Sequence, residues 1–209
     1  MNIARTVSLI GLSIGWLAAS QAFAATPSFS CAKTDGAAVK AICSDDTLAA
    51  LDRETARLYG LARGTPGLSL KRKNELTAMQ RGWIKGRDDC WKASDLKACI
   101  RDEYVGRIAE LRAGYKGARG KGGVSIGPVA VTCPGSPAMN ATFVNVEPPL
   151  AFLAGGDRSF VMTIARSGSG ARYTAQYPQG EATFWQKGPE AIVQLPGDKE
   201  QTCRVGPLE

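Results

Sequence analysis

Two glycine-bracketed positions near the C-terminus carry side chains suited to gripping an acidic site. They are Ser169 in Ser167-Gly168-Ser169-Gly170 and Lys187 in Lys187-Gly188-Pro189. A hydroxyl hydrogen-bonds either form of a carboxyl group, and an ammonium satisfies the ionised form through a charge-assisted contact. The chain has no histidine, which removes Ser-His-Asp and Cys-His catalysis. Its six cysteines include no CxxC pair, so the spacing structural zinc favours is missing, and no metal or cofactor is implied. Acid–base chemistry would fall to carboxylates such as Asp88 and Asp89, but adjacent helical residues do not face each other. Arg87-Asp88-Asp89 therefore reads as a structural ion-pair cluster, an arrangement that imitates active sites.

The elements that position Ser169 and Lys187 are short strands. From Val129 onward, β-rich runs alternate with turns, predicting strands near 129–133, 139–146, 149–153, 158–166, 171–177, 181–186, 190–195 and 201–205. Eight short antiparallel strands in a small unit predict a closed barrel, which removes exposed edges. Strand 158–166 runs to one end, where the 167–170 loop turns. Strand 171–177 descends, and strand 181–186 returns to deliver Lys187 to the same end. Two strand spacings or less separate Ser169 from Lys187, about 5–10 Å at about 4.8 Å per strand. Cys133 in the first strand and Cys203 in the last are placed to join the two ends of this unit.

The preceding half is helical. Ser44, Asp45 or Asp46 can cap a helix with Leu48, Leu51, Leu58 and Leu61 on its core face. Gly64-Thr65-Pro66-Gly67 ends it. A second helix carries Leu76, Met79, Trp83 and Ile84 and stops near Asp89, and a third carries Leu96, Ile100, Tyr104, Ile108 and Leu111. Three short helices bury little apolar area alone, so disulfides are expected to staple them. In an antiparallel hairpin Cys43 falls near Cys90, leaving Cys31 for Cys99, with other pairings open to the sequence. The fold class is thus α + β with two domains, a small disulfide-linked helical domain and an eight-stranded antiparallel barrel. Gly114 to Gly123 is glycine-rich and basic, predicting a flexible linker over 114–128 between a helical unit at 28–113 and a barrel at 129–209.

Compartment and charge narrow the setting. Arg5, the apolar run Val7 to Ala19 and Ala22-Phe23-Ala24 form a cleavable signal peptide over 1–24, too short to anchor the chain stably in a membrane. Cys31 sits too far beyond that run to carry a lipid, and the six cysteines suit an oxidising compartment, the periplasm. Residues 25–120 hold 18 Lys and Arg against 12 Asp and Glu, a net of +6, while residues 121–209 hold 7 of each. The basic half reads as a solvated helical surface, with weak attraction to an anionic envelope polymer as the alternative. No motif for nucleic acid accompanies it.

Two resemblances sharpen this reading. Cys31, Ile42-Cys43-Ser44-Asp45, Leu51-Asp52, Gln80-Arg81-Gly82-Trp83, Arg87-Asp88-Asp89-Cys90, Cys99 and Tyr104-Val105-Gly106-Arg107-Ile108 resemble the N-terminal domain of LprI-type lysozyme inhibitors, over about residues 28 to 113. Ser169-Gly170-Ala171-Arg172-Tyr173, Phe184-Trp185-Gln186-Lys187-Gly188-Pro189-Glu190-Ala191 and the terminal Cys203 resemble the membrane-bound and periplasmic inhibitors of c-type lysozyme, over about Val131 to Val205. That second resemblance implies a non-enzymatic inhibitor whose partner is a c-type lysozyme. It implies that Ser169 and Lys187 enter the lysozyme cleft, with Gly170, Tyr173 and Gly188 shaping the loops. Without a lipid anchor the chain looks like the periplasmic form.

Overall fold

The computed structural model describes residues 26–207 except 34 and 121. The signal peptide predicted for residues 1–24 lies outside the described residues. Four helices precede the sheet: α1 (Ala37–Cys43), α2 (Asp46–Arg63), α3 (Leu70–Asp88) and α4 (Leu96–Gly114). Each longer helix starts at a side-chain cap. Asp45 accepts from Leu48 N, Ser69 from Arg72 N and Asp95 from Ala98 N, satisfying amides that have no partner inside the helix. No helix among the described residues is long and apolar enough to cross a membrane.

The sequence reading missed α1 and misjudged parts of the faces of α2 and α3. Leu48, Leu51, Leu58, Leu76, Ile100, Tyr104, Ile108 and Leu111 are buried as expected, but Leu61, Met79 and Ile84 are exposed. Helix α3 lies at the margin of the bundle and fully buries only Leu76 and Arg87. A wide apolar stripe is therefore not needed there.

All six cysteines are disulfide-bonded, and the pairing corrects the expected one. Cys31 joins Cys43 and Cys90 joins Cys99, closing separations of 12 and 9 residues. The physical reason is α1. Cys43 ends that helix instead of opening α2, which turns it back toward the short 3-10 turn Cys31–Lys33. Cys90 lies in a 3-10 turn directly before α4, beside Cys99 in its first turn. The bond at Cys31 also occupies the sulfur that a lipid anchor would need.

Arg87 is part of a buried polar chain, as the structural ion-pair reading anticipated. The Tyr104 hydroxyl donates to Asp52 Oδ1 at 2.8 Å and accepts from Arg87 Nη1 at 2.9 Å, while Arg87 also grips Asp88 at 2.7 Å. Burial pushes the Tyr104 phenol far above its ordinary range, so it stays a neutral bridge. Asp89 stands apart and pairs with Lys92.

The eight strands are β1 (Ser125–Thr132), β2 (Met139–Val144), β3 (Leu150–Gly155), β4 (Arg158–Ala165), β5 (Ala171–Tyr177), β6 (Gly180–Lys187), β7 (Glu190–Gln194) and β8 (Gln201–Val205). They form a closed antiparallel barrel in sequence order, β8 pairing back to β1. Its interior is filled by Val129, Val131, Phe143, Leu153, Met162, Tyr173, Phe184 and their neighbours. Cys133 joins Cys203 across 70 residues, as expected from their strands.

The segment expected as a free linker is packed. Lys116–Arg119 forms a 3-10 turn and β1 already begins at Ser125. Buried Arg112 of α4 explains this, because its guanidinium donates to Ala118 O at 3.2 Å and Gly127 O at 2.7 Å. The carbonyls of a flexible tether would leave that buried cation unsatisfied. Buried Glu54 of α2 likewise accepts from the amide and the hydroxyl of Ser125. Val144 and Leu150, on the outer wall of the barrel, join the core of the helices. Strand β2 is covered on both sides toward its end, which is why its burial does not alternate.

Candidate functional site

The β4–β5 loop and the β6–β7 turn open at one end of the barrel. Register fixes this. Ala171 pairs with Gln186 at the top of the β5–β6 ladder, and Lys187 pairs with Glu190 at the base of the next turn. Ser169 and Lys187 thus flank the same ladder end, both exposed.

Gly170 makes the close approach possible. Its φ is +68°, and a Cβ built there would lie 2.1 Å from the Gln186 carbonyl oxygen and 3.0 Å from Lys187 Cγ. Only glycine fits this left-handed position against the neighbouring strand. Within the loop, the Ser167 hydroxyl donates to Gly170 O at 3.0 Å. Gly188, also at positive φ, turns the chain after Lys187, and Gln186 Nε2 donates to Gly188 O at 3.1 Å.

Trp185 links the two hairpins. Its indole Nε1 donates to the Ser169 carbonyl at 2.8 Å, and the Lys187 ammonium lies 3.6 Å from its ring centroid. Trp185 and Lys187 share a face because side chains two apart on a strand do. The sequence reading quoted Trp185 in its motif without giving it a role. The available signal was that same two-residue spacing.

Tyr173 is placed differently from Ser169 and Lys187. It points into the barrel, is 6% exposed, and packs its ring 5.6 Å from that of Phe143. Its ring lies inside the barrel beneath the loops instead of standing on the rim with Ser169 and Lys187.

Chemically, the rim offers a hydroxyl, an ammonium and, on the same loop, the exposed guanidinium of Arg166. Among the described residues no carboxylate pairs with Lys187, whose contact is the Trp185 ring. An exposed, ring-supported ammonium can satisfy a carboxylate, and a hydroxyl beside it can hydrogen-bond a second acidic group.

Residues 131–202 match the family model of the membrane-bound lysozyme-inhibitor of c-type lysozyme. That span contains the barrel disulfide's first cysteine, both hairpins, Ser169 and Lys187. The chain is also similar to Lipoprotein LprI of Mycobacterium bovis, at 28% identity over 153 residues, 71% of this chain and 72% of the relative. The same identity and coverage hold for Lipoprotein LprI of two Mycobacterium tuberculosis strains. No solved structure matches the chain at a significant level. Both resemblances read from the sequence are thus borne out, that of the barrel to inhibitors of c-type lysozyme and that of the N-terminal domain to LprI.

Proposed function

We propose that the protein is a periplasmic inhibitor of c-type lysozyme that inserts Ser169 and Lys187 into the lysozyme active-site cleft. The observation that carries this reading is their convergence at one barrel end, where Trp185 touches both the Ser169 carbonyl and the Lys187 ammonium. Retaining glycosidases hold two carboxyl groups about 5–5.5 Å apart. The Lys187 ammonium satisfies the ionised carboxylate and the Ser169 hydroxyl bonds its neighbour. Nothing hydrolysable is presented, so the contact blocks the cleft without a catalytic step. The match of residues 131–202 to the inhibitor family supports the choice of partner, and the likeness to a lipoprotein supports an envelope location.

The test is inhibition of cell-wall lysis by c-type lysozyme with folded Lys187→Ala and Ser169→Ala proteins. Removing the lysine leaves a carboxylate buried without its cation, a loss of about 2–5 kcal/mol in binding. Removing the hydroxyl costs about 1–3 kcal/mol. Unchanged inhibition by both variants would remove the cleft-insertion mechanism.

One observation favours a second reading, an envelope adaptor. On α3, Lys71, Arg81 and Lys85 are exposed and have no carboxylate partner among the described residues. An anionic polymer would neutralise them. Full retention of lysozyme inhibition after Lys71, Arg81 and Lys85 are replaced by Gln assigns them no part in the inhibitory contact.

A further inference from the structure

The barrel is open at the end that carries Ser169 and Lys187. A cavity of about 190 Å³ enters there, lined by Ile126, Phe143, Asn145, Ala171, Tyr173 and Gln186 among others. Ala171 is the residue after the Ser169 loop, and Gln186 directly precedes Lys187. The cavity and the two hairpins therefore share a rim. A protein docked over those hairpins also covers the mouth.

The walls are mostly apolar, with no charged side chain among the lining residues. The polar groups are the Asn145 carboxamide, the Gln186 carboxamide, whose Nε2 already donates to Gly188 O, and the Tyr173 hydroxyl. That hydroxyl makes no hydrogen bond to another described residue, and it is not among the buried side-chain atoms left without a partner, so it is open to solvent while the rest of Tyr173 is packed in the barrel. Burial alone raises its pKa, with no compensating contact. A hydroxyl in the lining whose hydrogen-bonding capacity the fold leaves unused is free to take a partner atom from an entering side chain. The opposite end of the barrel makes the contrast. A cavity of about 160 Å³ lies there too, lined by Cys133, Ser136, Arg158, Asp198 and Gln201 among others. Its polar groups already answer one another, Arg158 to Asp198 at 2.7 Å and Gln201 to Ser136 at 3.2 Å.

We infer that the barrel mouth is a second receptor site of the inhibitory surface, accepting one uncharged side chain of the lysozyme, apolar in its stem and polar at its tip. The inference rests on the lysozyme reading above. The absence of charge in the lining sets the class of side chain, because a charge buried there would have no counter-ion. The Tyr173 hydroxyl and the two carboxamides hold its polar end, and Ile126 and Phe143 hold its stem. Sites of this form, apolar with a few convergent polar groups, occur in the mouths of β-barrels.

The experiment measures the inhibition constant against c-type lysozyme and the melting temperature of the full-length protein and two variants. Tyr173→Phe keeps the shape and deletes the hydroxyl. It should weaken inhibition about 2- to 10-fold, the loss of one neutral hydrogen bond, without lowering the melting temperature. Ala171→Leu fills the mouth from its rim and should weaken inhibition more than about 10-fold, because the entering side chain is excluded. If both folded variants inhibit as well as the unsubstituted protein, the mouth is not a receptor site. If the unsubstituted protein does not inhibit at all, the lysozyme reading falls, and this inference falls with it.

Discussion

The indole of Trp185 donates its Nε1 hydrogen to the backbone carbonyl of Ser169 at 2.8 Å. The same ring carries the Lys187 ammonium on its face, 3.6 Å from the centroid. One side chain thus fixes the loop that presents the serine and the rotamer that presents the lysine. A lysine side chain loses considerable rotamer freedom when it is immobilised in a complex, and holding it beforehand reduces that cost.

Trp185→Phe keeps a ring beneath Lys187 and removes the hydrogen bond to Ser169. Its expected loss of inhibition corresponds to about 0.5–1.5 kcal/mol. Trp185→Ala also removes the cation–π contact, a further loss of about 0.5–1 kcal/mol at an exposed site. Inhibition constants should rank unsubstituted, Phe, Ala from tightest to weakest. Equal constants for all three would show that Trp185 does not organise the rim.

Gly170 and Gly168 offer a matched comparison two residues apart. An alanine at 170 meets the Gln186 carbonyl at 2.1 Å and sits at φ +68°, so the loop must leave the β6 edge. The left-handed conformation alone costs about 1–2 kcal/mol. Gly168 has no atom within 4 Å of an added Cβ, so Gly168→Ala should behave as the unsubstituted protein. Urea denaturation checks both, and equal stability of the two variants would contradict the close approach.

Much of this architecture was legible because it is written locally. Period-two alternation and glycine turns gave all eight strands, and chain direction alone put Ser169 and Lys187 at one end. The long-range contacts were not legible. Glu54 meets Ser125 across 71 positions, and no local pattern announces that a glycine-rich segment will be held by a buried arginine. The pairing of Cys31 with Cys43 depended on α1, whose seven residues are too few for a clear helical period. Tyr173 stood in the quoted motif, but only the fold shows its hydroxyl inside the barrel mouth.

The disulfides should differ in strength by the loop each closes. In the chain-entropy description, the 70-residue separation of Cys133 and Cys203 gives about 4 kcal/mol, and the 12-residue separation of Cys31 and Cys43 gives about 3 kcal/mol. Replacing each pair by alanine and measuring unfolding free energy under non-reducing conditions tests the order. A larger loss at Cys31 and Cys43 would contradict it.

Glu54 makes the joint between helices and barrel sensitive to acid. Burial opposes its charge, but hydrogen bonds from Arg57 and Ser125 outweigh that and hold its carboxyl below the ordinary range. A group whose folded pKa is depressed stabilises the fold above its unfolded value, about 4.3, and loses that contribution as pH falls through the folded value. Asp102 and Glu103 act in the opposite sense, because burial raises both carboxyls. Subtracting a Glu54→Gln variant from the unsubstituted protein isolates the one group. At pH 7 the variant should be less stable by about 1–3 kcal/mol, the cost of weakening a buried charged hydrogen bond to Ser125 and Arg57. The gap should narrow steadily below about pH 4. Thermal unfolding followed from pH 7 to pH 3 provides the measurement. A gap that stays constant across that range would mean that the Glu54 charge does not hold α2 to β1.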